Sequence, residues 1–160
     1  LTLREDSDDI QVIGNIDPEA KFLLAEEQEE TSILSTTGRG YVIIGILGSR
    51  QEPINHAMRD IAAVHNQFNN WDRSMILLFK DEQVWKNFDT KEFETLPHTI
   101  TYGIDNNQSI TPMIVEAMRL PNSNTLPIFI IADTFGRVVF TSQGYTIGLG
   151  EQMMKVIQKL

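Results

Sequence analysis

The seven residues Tyr41–Leu47, YVIIGIL, constrain the fold more than any other stretch of the chain. The run is almost continuously apolar and rich in β-branched residues, so a strand built from it must be covered on both faces. Such a strand sits inside a layered α/β domain, with helices packed against either side of a sheet. The residues that follow carry the matching pattern. Between Gln51 and Phe68 the apolar residues Ile54, Ala57, Met58, Ile61, Val64 and Phe68 recur every three or four positions, which predicts one helix with one buried stripe. SMILLFK at 74–80 predicts a second buried strand, 81–88 a short helix and HTITYGI at 98–104 a further strand. Residues 109–120 read as a helix with Pro112 in its first turn, where a missing N–H costs little. TLPIFIIAD at 125–133 and RVVFTS at 137–142 are two strands joined through DTFG, whose glycine can take the positive φ of a tight hairpin. A helix over 148–160, with Met153, Val156, Ile157 and Leu160 on one side, closes the chain. Alternating strands and helices imply parallel pairing, and the hairpin forces an antiparallel pair, so the expected fold is α/β with a mixed central sheet flanked by helices.

The chain has 160 residues, enough for one sizeable core. We place that domain at 41–160 and read 1–40 as an acidic N-terminal extension and linker with short strands. Within it, 1–9 is an exposed connector, IQVIG at 10–14 a short strand, KFLLA at 21–25 an element whose type the residues leave open, and STTGRG at 35–40 a loop. Net charge is −9, and ten of the 22 acidic but only three of the 13 basic residues lie in 1–40. Such a balance repels phosphate backbones and anionic lipid, which argues against nucleic acid and membrane surfaces as partners. Glu26–Glu30 reads as a solvated acidic patch rather than a cation site. No apolar run approaches the roughly 20 residues of a membrane span. The opening residues lack a basic segment followed by an apolar one, so no signal peptide is visible, and the start at Leu1 reads as a piece of something longer.

The chain contains no cysteine, which excludes a disulfide framework, a thiolate metal site and a thiol nucleophile. Other chemistry has one candidate cluster. Glu52, His56 and Asp60 are four apart, so a helix would bring them to one face at metal-ligand spacing. Arg59 lies beside them and no second cluster completes a coordination shell, so the favoured reading is an exposed charged stripe, with no metal and no cofactor expected. His65 lies about half a turn around the helix from His56 and cannot share an ion with it. His98 has no evident partner in the sequence. Ser49 with His56 and Asp60 lacks the glycine pattern of a nucleophile elbow. GRG at 38–40 and GLG at 148–150 are turns, because neither extends into a phosphate-binding motif. Trp71, Trp85 and Phe88 read as core or cover aromatics.

Taken in order, an apolar strand running into "IIGILGSRQEPINHAM" and a later "TLPIFIIADTFGRVVF" resemble the thioredoxin-like superfamily, in particular its TlpA-type extracytoplasmic branch. In that branch the first strand runs into W-C-x-P-C at a helix start, and a later strand opens with a cis-proline before I-D-x-x-G-x-I. The resemblance covers roughly 41–160. It places Pro53 on the motif's proline, Gln51 and Ile54 on the two cysteines, and Pro127 on the cis-proline. A looser similarity, carried by "LTLRE" and "ILSTTGRGY", links the chain to thioredoxin-like modules at the C-terminal end of bacterial secreted transglutaminase-like proteins. The resemblance implies a thioredoxin-like fold in a periplasmic or extracytoplasmic setting. Gln51, Pro53, Ile54 and Pro127 become vestigial active-site positions, because an amide and a hydrocarbon cannot carry thiol–disulfide exchange. What the resemblance leaves is binding: the residue before the cis-proline can pair with an extended peptide, which makes Leu126 and Pro127 the candidate peptide-binding positions. The expected function is thus a non-catalytic interaction or structural module. A peptide-binding module using the former active-site groove is one alternative, and an enzyme with metal or hydrolytic chemistry around Glu52, His56 and Asp60 is the other.

Overall fold

The computed structural model describes residues 11–37, 40–48, 52–88, 93, 95–121 and 125–160. The expected connector 1–9, most of the GRG turn, Ser49 and Gln51 lie outside the described residues.

Three strands run parallel at the centre: β4 (Tyr41–Leu47), β5 (Ser74–Phe79) and β6 (Ile100–Ile104). On the other side of β4 lie β7 (Ile128–Asp133) and β8 (Arg137–Gln143), each antiparallel to its neighbour. The pleat explains why β4 carries no polar alternation. Ile43 and Leu47 point into one core, while Val42, Ile44 and Ile46 point into a second core on the opposite face. β5 and β7 divide in the same way, with Leu77 and Phe129 on one side and Leu78 and Ile130 on the other. Helices α2 (Glu52–Ala63), α3 (His65–Trp71) and α6 (Leu149–Ile157) contribute Met58, Phe68 and Met153 to the first core. Helix α5 (Ile110–Ala117) covers the second core with Ile110 and Ile114. Its first turn is held by Asp105, whose carboxylate accepts the backbone N–H groups of Ser109, Ile110 and Thr111. The short α4 (Glu82–Asn87) is capped by Asp81, which accepts the Val84 N–H at 2.9 Å.

Two local expectations fail. The helix expected over 51–68 is broken at Val64, whose φ of −113° and ψ of 28° leave the helical region. Phe68 stays buried beyond the break, so the apolar stripe continues although the helix does not. The His65 Nδ1–H donates to the Ala62 carbonyl at 2.8 Å, satisfying an acceptor that the break exposes. The expected loop at 35–40 in fact begins inside α1 (Ile33–Thr37), a single turn. Hydroxyl groups substitute for helix propensity there: Ser32 Oγ accepts the Ser35 N–H, and Thr37 Oγ1 donates to the Ile33 carbonyl.

The segment before Tyr41 is woven into the sheet. β1 (Gly14–Asn15) pairs with β8 at one edge, one position later than the end of the strand expected at 10–14. β2 (Lys21–Leu24), the element of open type, pairs with β6 at the opposite edge, and β3 (Glu30–Ser32) pairs with β2. The strand order is β1-β8-β7-β4-β5-β6-β2-β3, so this one segment borders both sides of the sheet. Ile16, Phe22, Ala25 and Ile33 from it are buried.

Candidate functional site

Helix α2 follows the C-terminal end of β4, and its first turn holds Glu52 and Pro53, both exposed. Ile54, one residue on, is 2% exposed and packs in the core formed by α2, α6 and the sheet. The peptide bond between Leu126 and Pro127 is cis. Pro127 is buried immediately before β7, and its carbonyl accepts the Gly144 N–H at 2.8 Å, closing the β7–β8 ladder. Leu126 is half-buried, and a Cβ on Gly48 at the end of β4 would come within 2.8 Å of its Cδ1. The end of β4 and the residue before the cis-proline are therefore neighbours. Among the described residues Leu126 neither gives nor accepts a backbone hydrogen bond.

The Glu52, His56 and Asp60 stripe divides. Glu52 and His56 form an exposed i,i+4 pair at 4.0 Å. Asp60 turns toward α6 instead, where one carboxylate oxygen, Oδ2, accepts both the Tyr145 hydroxyl at 3.2 Å and the Leu149 N–H at 3.1 Å. Across this contact the His56 ring stacks on Tyr145 with centroids 5.1 Å apart. Among the described residues no group of three His, Cys, Asp or Glu side chains is placed to hold a metal ion. His65 is engaged with Ala62, and His98 has a partner after all, with Nε2 3.8 Å from an Asp72 carboxylate oxygen. Phe88 is buried, while Trp71 and Trp85 are half-buried against the same core, as expected of cover aromatics.

Tyr145 is the residue that sequence reasoning missed. It lies two positions beyond the end of β8, and its only sequence signal is the "GY" that follows the strand. Partial burial raises the pKa of its phenol first, the Asp60 charge and hydrogen bond add to this, and the Gly148 backbone opposes it. Tyr102 is raised by burial and then by the Glu26 carboxylate. The neutral phenols are thus favoured in the folded state. Their contribution to stability is complete below the ordinary tyrosine pKa of about 10 and is lost as pH rises through the elevated folded values. Alkaline absorbance titration of Tyr102→Phe and Tyr145→Phe, each subtracted from the parent, is expected to show both phenols ionising later than free tyrosine.

A central parallel and antiparallel sheet, α2 at the end of its first core strand and a cis-proline opening β7 beside that end define a thioredoxin-like fold. No family model matches the chain, and no curated protein matches it either. Solved structures do. The thioredoxin domain of a thiol-disulfide oxidoreductase from Bacteroides vulgatus superposes with a TM-score of 0.64 at 13% identity, covering 92% of this chain and 99% of that one. A SCO1/SenC family lipoprotein from Bacillus anthracis gives 0.65 at 13% identity over 91% and 95%. A secreted Mycobacterium tuberculosis disulfide oxidoreductase homologous to E. coli DsbE gives 0.63 at 12% identity over 89% and 96%. The shared property is the fold. This chain has it without a single cysteine.

Proposed function

We propose that the chain is a non-catalytic thioredoxin-fold domain that acts as an interaction or structural module within a larger exported bacterial protein. The supporting observation is the absence of cysteine from a fold whose solved relatives include disulfide oxidoreductases. Thiol–disulfide exchange needs a thiolate to attack and a second sulfur to resolve the mixed disulfide. Ile54, aligned with the resolving cysteine, is a buried hydrocarbon in the core. An insulin-reduction assay with dithiothreitol is expected to give the rate of the protein-free blank; acceleration above it would remove this reading. Two of the structural relatives, a secreted oxidoreductase and a lipoprotein, support an exported location. The full-length open reading frame tests that context: an upstream signal peptide and a transglutaminase-like region are the expected finding.

A second reading, peptide binding along the former active-site groove, is favoured by Leu126, which has no backbone hydrogen-bond partner among the described residues. A half-buried residue with open N–H and C=O groups can add an extended strand without any thiol. A peptide array repeated with Leu126→Pro, which deletes the N–H, is expected to lose binding.

A further inference from the structure

The sheet has two outer strands, β1 and β3, and only one of them is guarded. β3 carries Glu30, which pairs with Lys21 at 3.9 Å, and it follows an exposed stretch that also holds Glu26, Glu27 and Glu29. Charge on an edge strand opposes the addition of another strand. The β1 edge has no such charge. From Ile10 to Ile16, IQVIGNI, the sequence contains neither a charged residue nor a proline. The N–H groups of Ile13 and Ile16 donate to the Val138 and Gly136 carbonyls, each at 2.8 Å, so this stretch is held against the sheet on one side. Among the described residues no strand lies on its other side. Val12 and Ile13 are each 49% exposed, and Phe135, beside Gly136 in the turn before β8, is 74% exposed. Apolar surface therefore gathers where the sheet ends without a guard.

We propose that the β1 edge is the interaction surface of this module, and that its partner is a protein segment adding as an extended strand, apolar at its centre and carrying lysine or arginine at its ends. This rests on the interaction-module reading and names its surface. An open edge selects an extended chain, because a strand backbone supplies donors and acceptors at matching spacing. Val12 and Ile13 give the apolar centre of that strand something to pack against. Charge selects its ends. Glu5, Asp6, Asp8 and Asp9 precede the stretch in sequence against the single base Arg4, and the exposed Asp17 and Glu19 follow it. Arg137, set opposite Asn15, is already held by Asp133 and lies over the Phe135 ring at 5.2 Å. Pairing two copies of this stretch would bring acidic flank against acidic flank, which disfavours a second copy and favours a basic partner.

The test is fluorescence anisotropy of the full chain with two labelled peptides sharing one strand-forming core, KKVTVTVKK and EEVTVTVEE. The lysine-flanked peptide is expected to bind, and the glutamate-flanked one to bind about tenfold more weakly or worse. Val12→Lys and Ile13→Lys each place on β1 the kind of guard that β3 has, and each should weaken binding about tenfold. Ile147→Lys, the same change at an exposed residue outside this edge, should bind as the parent does. Two further peptides, N-methylated at the valines or at the threonines, each lack the donors of one side of the strand, and at least one should fail to bind. Full affinity in both edge variants, or in both N-methylated peptides, overturns strand addition at β1. Equal affinity for the lysine-flanked and glutamate-flanked peptides overturns the basic partner, and binding of neither removes the edge as a docking surface. Failure of the module reading itself shows separately, as acceleration in the insulin assay. A melting curve checks each variant, and where one fails to fold the N-methylated peptides decide on the parent chain.

Discussion

A chain shortened to begin at Tyr41 is expected to lose its cooperative fold. The domain boundary read from sequence falls at that residue, but the preceding segment borders both edges of the sheet. Removing it strips β1 from β8 and β2 from β6, leaving two rows of unpaired backbone groups. It also removes Ile16, Phe22 and Ile33 from the second core, where each is at most 7% exposed. Phe22 lies directly on Gly103 of β6, a position with no side chain of its own to cover the gap. Burying a large apolar side chain is worth about 1.5–3 kcal/mol, so the loss is of order 5–9 kcal/mol. Whole domains are stable by only about 5–15 kcal/mol. Thermal denaturation followed by circular dichroism, together with size-exclusion chromatography, should show an unfolded or aggregating 41–160 fragment. A monomeric fragment melting as the full chain does would mean that the extension is dispensable.

Gly136→Ala is expected to be the most damaging single substitution of a small residue by another. Gly136 ends the DTFG turn at a φ of 85°, a conformation that costs any side chain strain. Its Cβ would also collide with the carbonyl oxygen of Ile16, whose N–H in turn donates to the Gly136 carbonyl. Backbone cannot swing aside as a side-chain tip can, so the N-terminal segment must shift or the hairpin must open. Strain and overpacking together amount to roughly 2–6 kcal/mol. Gly144→Ala is the control: φ there is 73°, but the nearest atom to a Cβ is the Thr125 methyl at 3.5 Å. It should cost about 1 kcal/mol, from conformation alone. Equal losses in the two variants, measured by urea denaturation, would show that the contact with Ile16 carries no weight.

Both experiments probe places where sequence reading and structure part company. The central strands were legible because two-sided burial removes polar alternation, and YVIIGIL, SMILLF and IFIIA declare it without any tertiary information. The segment 14–32 was not legible as part of the sheet. Its strands are two to four residues long and each pairs with residues far along the chain, so local pattern carries little signal. The break at Val64 leaves no mark in the sequence because the apolar stripe runs through it undisturbed. At the site, Pro53, Ile54, Leu126 and Pro127 came from motif order, whereas Tyr145 came from nothing in its own neighbourhood. Its partners lie 85 and 89 positions away along the chain, in helix α2.

By itself, the sequence determined that this chain carries no thiol and which strands form its centre, since an absent cysteine and a strand buried on both faces are local facts of composition and pattern. Only the tertiary structure decided that the acidic N-terminal segment completes both edges of the sheet. It alone turned Asp60 toward α6, where its carboxylate accepts the Tyr145 hydroxyl and the Leu149 N–H while His56 stacks on the Tyr145 ring. Those arrangements depend on which distant residues the fold brings into contact, and no short stretch of chain records that.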